Sequence, residues 1–383
     1  MSARMVVLLV DALGWELAQR VPVFAPQLGH RRRLETILGF SSGALPTLFT
    51  GRPPSEHGRW LMYRRATNGT PFRGFQWLRL LPHRIQRSQK LARTLGEVLR
   101  RRGVRGYYHL YEVPRWLLSE FDLPERADIF APGGLPVPSL WDDLERRGIA
   151  WRGWNWRTPE AQNLTDVARR LEEGVEAFLF CYTADLDATL HREGSSGAGV
   201  SARMRRYAAW LEQIDGAARR RGETLWIYLV SDHGMVDVNR VIDLQARLQP
   251  LSVRWPRDYL AFFDSTMARF WWRSATARTA VHAALREEPA GRWLTDDELE
   301  REGALFPGRD YGEDIFLLEP GALLVPSFMG HQPLRAMHGY QASHPDLAAL
   351  LWSNRPVPET VRTIADVYAY LRSELDAARP EMV

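Results

Sequence analysis

The segment Leu225–Met235 reads LWIYLVSDHGM and holds the signals that decide the fold class. Its first six residues form a continuous apolar run, which is typical of a strand buried on both faces of a parallel sheet. The run stops at Ser231, and a carboxylate and an imidazole follow at Asp232 and His233. Ligands of open α/β sheets bind at the carboxyl ends of the strands. The segment therefore predicts a central strand that carries polar side chains to the binding edge.

The two polar residues can share a ligand only if the strand ends before them. In a strand that continued, Asp232 and His233 would point to opposite faces of the sheet. Both can reach one metal ion only if the chain leaves strand geometry at Ser231. Gly234 favours such a departure, because glycine permits sharp turns. Taken alone, the segment fits a strand followed by a polar turn as well as it fits a metal site.

Two further apolar runs end in the same way. Met5–Val10 leads directly to Asp11. Ala177–Ala184 leads to a segment that holds Asp187 and His191, which are four residues apart and would share a face on one helical turn. Carboxylates and imidazoles at three strand ends predict a metal site.

The segment Gly39–Gly58, GFSSGALPTLFTGRPPSEHG, carries the candidate nucleophile. It predicts a short helix over Ala44–Thr50, with Ser41 and Ser42 just before the helix. The first N–H groups of a helix have no intrahelical acceptor, and together with the helix dipole they favour an anion. This position suits a nucleophilic serine beside a phosphate.

Each of these side chains also has a purely structural interpretation. Asp11 lies where a carboxylate commonly caps the following helix. Asp185, two residues before Asp187, is an alternative ligand or a cap. Ser41 or Ser42 could be an N-cap residue and nothing more.

The composition indicates an ordinary globular protein. The chain has 383 residues, of which 45% are hydrophobic and 25% charged, with a formal net charge of +4. Its single cysteine, Cys181, excludes an intramolecular disulfide. No apolar run approaches the length of a membrane span, and no secretory leader is evident, so we expect a cytoplasmic protein.

Three arginine runs lie at apparent helix ends, and we interpret them as solvated faces. The runs are Arg31-Arg32-Arg33, Arg100-Arg101-Arg102 and Arg219-Arg220-Arg221. We therefore expect no nucleic-acid polymer as a partner. The pattern does not determine the oligomeric state.

Strand and helix patterns alternate along most of the chain, which predicts an α/β fold with a doubly wound, mostly parallel sheet flanked by helices. One of the predicted strands is Val104–Leu110. A change of pattern between two short strands and two helices predicts a small α+β insertion. We expect a catalytic core of residues 1–252 and 308–383 and an inserted cap subdomain of residues 253–307.

One more histidine, His338, lies in a short polar segment before the last predicted strand. The candidate site then contains three carboxylates, three imidazoles and one hydroxyl. These residues are Asp11, Ser41, Asp187, His191, Asp232, His233 and His338. Mixed oxygen and nitrogen ligands suit Zn²⁺, or Mn²⁺ as second choice, rather than Ca²⁺ or Mg²⁺. Their number suits two divalent ions.

The motifs VVLLVDALGW, SSGALPTLFTGRPPSEHG, DLDATLH, SDHGM and MHGY together resemble the alkaline phosphatase superfamily. The nearest branch is that of the type I phosphodiesterases and nucleotide pyrophosphatases. The motifs occur in the family's order and extend over nearly the whole chain. The resemblance implies an alkaline phosphatase-like fold and a site with two metal ions.

The resemblance also implies a role for each residue. Asp187, His191 and His338 would hold one ion, and Asp11, Asp232 and His233 would hold the other. Ser41 falls where that family has its threonine nucleophile, and Ser42 is the second choice. A phosphorylated serine would then form and be hydrolysed by water.

Two departures from the family pattern affect this interpretation. The family carries an asparagine shortly after its Gly-x-x-Pro-x-x-His-Gly segment, where it orients the phosphate. Here the first asparagine, Asn68, comes several residues late, so Arg59 or Tyr63 is expected to bind the substrate instead. The Cys/Ser-x-Pro-x-Arg motif of sulfatases does not occur near Ser41, which disfavours a sulfatase.

These observations predict a metal-dependent phosphoric ester hydrolase that acts on a small-molecule phosphate ester or diester. A phosphodiesterase or nucleotide pyrophosphatase is the first expectation. A phosphomonoesterase or phosphotransferase on the same site is an alternative that the missing asparagine supports. A non-catalytic, metal-stabilised binding protein is an alternative of another class. The pattern does not identify the natural substrate.

Overall fold

A computed structural model of the protein describes residues 3–21, 24–86 and 88–378. The strands are β1 (Arg4–Val10), β2 (His30–Leu34), β3 (Arg64–Arg65), β4 (Phe121–Asp122), β5 (Trp151–Trp154), β6 (Phe178–Thr183), β7 (Leu225–Val230), β8 (Val236–Asp237), β9 (Arg240–Ile242), β10 (Tyr259–Phe263), β11 (Met267–Trp272), β12 (Gly291–Trp293), β13 (Asp314–Leu318), β14 (Ala322–Leu324), β15 (Ala336–Met337) and β16 (Ala349–Ser353). The helices are α1 (Trp15–Arg20), α2 (Ser41–Thr50), α3 (Pro54–His57), α4 (His83–Gln86), α5 (Gln89–Arg101), α6 (Leu140–Arg146), α7 (Glu160–Glu173), α8 (Asp185–Glu193), α9 (Ala198–Arg220), α10 (Leu244–Leu248), α11 (Ala275–Arg286), α12 (Asp296–Arg301) and α13 (Asp366–Ala377).

The central sheet has six strands in the order β2-β16-β7-β1-β6-β5. β1 pairs in parallel with both β6 and β7, so that Leu8 lies opposite Cys181 on one side and Leu229 on the other. β5 adds to β6 in parallel, whereas β16 runs antiparallel to β7 and to β2. The predicted mostly parallel α/β sheet is confirmed, with one reversed strand.

The two faces of the sheet bury alternate residues of the same strand, as the pleat requires. Met5, Val7 and Leu9 of β1 pack on the side of α2, α6 and α13. Val6 and Leu8 pack on the opposite side, against α7, α8 and α9. Helices therefore cover both faces, which explains why the central strands read as continuous apolar runs.

One arginine run lies in a strand and not at a helix end, contrary to the prediction. Arg31, Arg32 and Arg33 belong to the edge strand β2, and the guanidinium of Arg31 lies 4.1 Å from the ring centre of Trp352 on β16. Charged side chains on an edge strand prevent pairing with another chain. The other two runs lie at the carboxyl ends of α5 and α9, as predicted.

A second sheet, antiparallel and ordered β10-β11-β13-β12, lies outside the central one. Its core also includes side chains from residues 38–123 and 236–347. Val104–Leu110, predicted as a strand, is irregular: Val104 and Leu110 are buried there and pair with no strand in the described ranges. The insertion limits of 253 and 307 stay a prediction, and β13 of this sheet lies beyond the second limit.

Within residues 3–21, 24–86 and 88–378, no helix combines the length and apolar character needed to cross a membrane.

Candidate active site

Three neighbouring strands end at one edge of the central sheet and place the candidate ligands there. Asp11 follows β1 directly, and its backbone N–H donates to the carbonyl of Thr183 at the end of β6, at 2.9 Å. β7 ends at Val230, so that Asp232 and His233 lie outside strand geometry. The departure from the strand at Ser231 that the shared site needs is therefore present.

The space around Gly234 explains its place after this turn. A Cβ atom added at Gly234 would lie 2.0 Å from the carbonyl oxygen of Asp346. The residue is not among those with positive φ. Glycine is required here because another backbone approaches closely, and not because the turn is left-handed.

Asp11, Asp232 and His233 form the first candidate metal group, and all three are buried. His233 Nε2 lies 3.4 Å from Asp11 Oδ1 and 3.3 Å from Asp232 Oδ2. The other ring nitrogen, Nδ1, lies 2.9 Å from the carbonyl oxygen of Gly234. Because a carbonyl only accepts hydrogen bonds, Nδ1 carries the proton and Nε2 keeps a free lone pair for a ligand.

Asp187, His191 and His338 form the second candidate metal group. Asp187 and His191 lie one turn apart on α8, and Asp187 Oδ1 is 3.2 Å from His191 Nε2 and 3.7 Å from His338 Nε2. His191 Nδ1 lies 2.9 Å from the carbonyl oxygen of Ala336 and therefore carries a proton, so that Nε2 is the ring nitrogen that faces Asp187. Asp185 points elsewhere: its carboxylate pairs with Arg203 at 2.7 Å.

The two groups adjoin each other. The imidazole rings of His233, from the first group, and His338, from the second, stack with centres 3.9 Å apart and planes 16° apart. The residue types and the distance between the groups suit a pair of neighbouring cations.

The electrostatics of both groups fit divalent cations. Burial, followed by the charges of Asp232 and Asp187, raises the pKa of Asp11 well above its usual range. Burial, followed by the neighbouring imidazoles of His233 and His191, holds the pKa of His338 well below its usual range. Two buried carboxylate oxygens, Asp187 Oδ1 and Asp232 Oδ2, make no hydrogen bond to any residue that the structure describes. A cation in each group would neutralise the crowded carboxylates and use the unpartnered oxygens.

Ser41 contacts the first group. Its Oγ lies 2.9 Å from His233 Nε2 and 3.3 Å from Asp11 Oδ1. Ser41 is the first residue of α2, one turn earlier than the predicted helix start, and Phe40 is the N-cap. Ser42 turns away, because its hydroxyl donates to the carbonyl of Trp60 at 3.0 Å.

Tyr182 is a member of this site that the sequence did not single out. It lies on β6, is buried, and its hydroxyl donates to Asp11 Oδ2. Burial and the charge of Asp11 raise its pKa well above the usual range, so the hydroxyl keeps its proton. A tyrosine inside an apolar strand looks like a core residue, and no local pattern distinguishes it.

A cavity of about 640 Å³ opens beside the two groups. Members of both groups and Ser41 line it, together with apolar and aromatic side chains that include Met62, Tyr107 and Trp156. Asn155, which immediately follows β5, is also on its wall. Its position directly after the strand that ends at Trp154, at the edge where the other candidate residues lie, was the signal that could have identified this residue.

Of the two predicted substrate-binding residues, the structure places only one on the cavity wall. Tyr63 lines the cavity, although its hydroxyl donates to the carbonyl of His109 at 2.8 Å. Arg59 does not line the cavity, and its buried guanidinium donates to the carbonyl of Gly134 at 2.9 Å. Arg59 is therefore not placed to contact a substrate in that cavity.

The model of the family "Type I phosphodiesterase / nucleotide pyrophosphatase" matches residues 5–291. The chain belongs to this family. It is accordingly a hydrolase that acts on phosphoric ester bonds. Residues 5–291 include every candidate ligand except His338, which lies beyond the matched region. No curated protein matches the chain in sequence.

Solved structures of family members share the fold. Human ectonucleotide pyrophosphatase/phosphodiesterase 5 is similar over 97% of this chain and 95% of its own, with a TM-score of 0.66 and 14% identity. The murine protein of the same name is similar over 99% of this chain and 96% of its own, with a TM-score of 0.67 and 16% identity. An inactive variant of the murine protein in complex with AMP gives a TM-score of 0.65 at 16% identity, with the same coverage. These values establish the type I phosphodiesterase fold for nearly the whole chain.

Proposed function

We propose that the chain is a two-metal phosphodiesterase or nucleotide pyrophosphatase in which Ser41 is the nucleophile. The observation that carries the proposal is the position of the Ser41 hydroxyl. Its oxygen lies within 3.3 Å of both Asp11 and His233, at the amino-terminal end of a ten-residue helix. Ser42 Oγ is engaged by a backbone carbonyl, which supports Ser41 as the first choice.

The two groups would hold one divalent ion each, and their carboxylate and imidazole donors suit Zn²⁺ or Mn²⁺. When bound, such ions lower the pKa of the serine hydroxyl and stabilise charge on the attacking and leaving oxygens. The protonated Nδ1 atoms of His191 and His233 fix the tautomer in which Nε2 is the ligand atom.

The residues of this chain then have distinct tasks. Ser41 Oγ attacks phosphorus, and the bond between phosphorus and the leaving oxygen breaks. The product is a phosphoseryl ester and a free alcohol or phosphate. Free backbone N–H groups in the first turn of α2 face negative charge on the phosphoryl group. Water then adds to phosphorus, the bond to Ser41 Oγ breaks, and the serine regains its proton.

A nucleotide is the substrate class we favour. The similar murine protein has been solved with AMP. In this chain, Tyr107 and Trp156 meet edge to face at 5.1 Å on the cavity wall, and both are partly exposed. Aromatic faces next to a phosphate site suit the stacking of a base.

A hydrolysis assay tests the proposed function. We expect the protein to cleave bis(p-nitrophenyl) phosphate faster than p-nitrophenyl phosphate, with Zn²⁺ or Mn²⁺ added. Chelation should abolish turnover, and the metal should restore it. Preference for the monoester would move the protein to the phosphatase alternative. Two bound metals without turnover of either ester, or of a dinucleotide, would contradict the proposal.

The contact between Tyr182 and Asp11 leads to a further prediction. Tyr182→Phe removes only the hydroxyl that donates to Asp11 Oδ2. Hydrogen bonds that orient a ligand typically change metal affinity by about 10–100-fold, and we expect a loss of that size in a chelator competition. Tyr228→Phe is the matched control, because its buried hydroxyl donates to Glu374 at 2.6 Å, away from the site. Equal metal affinity in the two variants would show that Tyr182 does not support the ligand.

A further inference from the structure

Three large apolar side chains lie exposed within nine residues of one another. The exposed fractions are 61% for Trp77, 73% for Leu80 and 46% for Ile85. Trp77 and Leu80 lie three residues apart on the 3₁₀ helix Phe75–Leu80, where residues at this spacing project from the same side. Their exposure leaves apolar surface in water, which is unfavourable unless a partner covers it.

The same part of the chain is strongly basic. Between Glu56 and Glu97 there is no aspartate or glutamate. The basic residues in this interval are Arg59, Arg64, Arg65, Arg73, Arg79, Arg84, Arg87, Lys90 and Arg93. Arg59 of this block is buried, and Arg64 and Arg65 pair with Asp122 and Glu313, so any excess of positive charge comes from the other residues.

Five exposed cations of this segment have no acidic partner in the described part of the chain. Among the residues that the structure describes, no ion pair involves Arg73, Arg79, Arg84, Lys90 or Arg93, all of which are exposed. Flanking arginines behave differently: Arg65 pairs with Glu313, and Arg100 and Arg101 pair with Glu97. We name the five unpaired cations, together with Trp77, Leu80 and Ile85, the basic–apolar surface.

This surface rests on an ordered base. Phe72 and Phe75 are buried beneath it. The guanidinium of Arg102 donates to the carbonyls of Pro71 and Arg73, at 2.6 and 2.8 Å, and lies 5.7 Å from the ring centre of Phe75. The fold therefore holds Trp77 and Leu80 outward.

We propose that the basic–apolar surface docks reversibly on an anionic lipid membrane. Arginine and lysine are attracted to acidic headgroups, and tryptophan favours the boundary between headgroups and acyl chains. Exposed leucine and isoleucine side chains gain by entering that boundary. A nucleic acid would engage the cations but would leave Leu80 and Ile85 in water, so the lipid surface is the better match. The proposal goes beyond the proposed function and does not depend on it.

Vesicle flotation tests this proposal without any measurement of turnover. The full chain is mixed with vesicles of phosphatidylcholine alone, or of phosphatidylcholine with about one third phosphatidylserine. We expect binding to the anionic vesicles only, and we expect it to weaken as NaCl is raised, because salt screens the attraction. Each basic residue near an anionic surface contributes about a fivefold factor in affinity, so Arg73→Gln with Arg79→Gln should bind about 25-fold more weakly.

Matched variants separate the surface from general charge and hydrophobicity. Arg205→Gln with Arg220→Gln removes the same charge from exposed positions on α9 and should bind like the wild type. Trp77→Ala with Leu80→Ala should weaken binding to anionic vesicles at least several-fold. Val175→Ser, at an exposed position elsewhere, should leave it unchanged. Thermal melting of every variant checks that the fold is retained.

Three outcomes would overturn the proposal. They are equal binding to neutral and anionic vesicles, equal loss in the α9 variant and the surface variant, and no vesicle binding by the wild type. If the wild type does not bind vesicles but raises the fluorescence anisotropy of a labelled oligonucleotide, the surface binds a nucleic acid instead.

Discussion

Ser41→Ala is expected to lower kcat for a phosphodiester by about a thousandfold or more, since loss of a covalent nucleophile typically has an effect of at least this size. The hydroxyl oxygen is the only group removed, and it lies 2.9 Å from His233 Nε2 and 3.3 Å from Asp11 Oδ1. The carboxylates and imidazoles of both groups stay in place. Metal content, measured by elemental analysis after gel filtration, should therefore remain close to that of the wild type.

Two neighbouring changes make this result specific. Ser41→Thr keeps a hydroxyl at the same position and should retain measurable turnover. Ser42→Ala removes the hydroxyl of the adjacent residue, which donates to Trp60 O, and should change kcat little. If Ser42→Ala abolishes turnover while Ser41→Ala does not, the nucleophile is Ser42. If both variants keep wild-type rates, a serine ester is not part of the reaction.

Much of the candidate site could be predicted because its residues follow strands that are buried on both faces. β1 and β7 read as continuous apolar runs that end at Asp11 and shortly before Asp232. Such runs mark central strands, and the carboxyl ends of parallel strands meet at one edge. The same logic extends to Asp187, because its spacing to His191 fixes one helical face.

The spacing to His191 favours Asp187 over Asp185, and the structure shows what Asp185 does instead. Both carboxylates lie in the first turn of α8, but only Asp187 lies one helical turn before His191. Arg203, eighteen residues later on α9, pairs with Asp185. The carboxylate of Asp187 lies next to His191 instead. The arginine partner of Asp185 is distant in sequence, so no local pattern reveals it.

Contacts between distant segments also explain the predictions that were wrong. The arginine run in β2 becomes a strand because β16, about 320 residues later, pairs with it. Val104–Leu110 has the composition of a strand, yet it finds no strand partner and buries Val104 and Leu110 without one. Arg59 is polar and close to Ser41 in sequence, but the fold directs its guanidinium to the carbonyl of Gly134. Local composition contains none of this information.

If the chain holds two divalent ions as proposed, Asp187→Asn is expected to remove one of them and nearly all the activity. Both histidines of the second group approach the same oxygen, Asp187 Oδ1, and within the described part of the chain that oxygen has no hydrogen-bond partner. Asparagine keeps the shape but removes the negative charge that offsets a cation. We expect the metal content to fall from two ions to about one per chain. With one of two cooperating ions lost, kcat should fall by about a hundredfold or more.

Asp185→Asn makes the same chemical change two residues earlier on the same helix. Asp185 is partly exposed and pairs with Arg203 at 2.7 Å. A pair of this kind contributes about 0–1 kcal/mol to the free energy of unfolding, so the variant should fold, keep both ions and turn over substrate. Equal metal loss in the two variants would mean that the charge of the helix start, and not one directed carboxylate, holds the ion. Metal loss in Asp185→Asn alone would exchange the two assignments, and it would require α8 to present its opposite face to His338. Because His191 is held by the carbonyl of Ala336, that rotation would break a contact already present, and we expect the loss to follow Asp187.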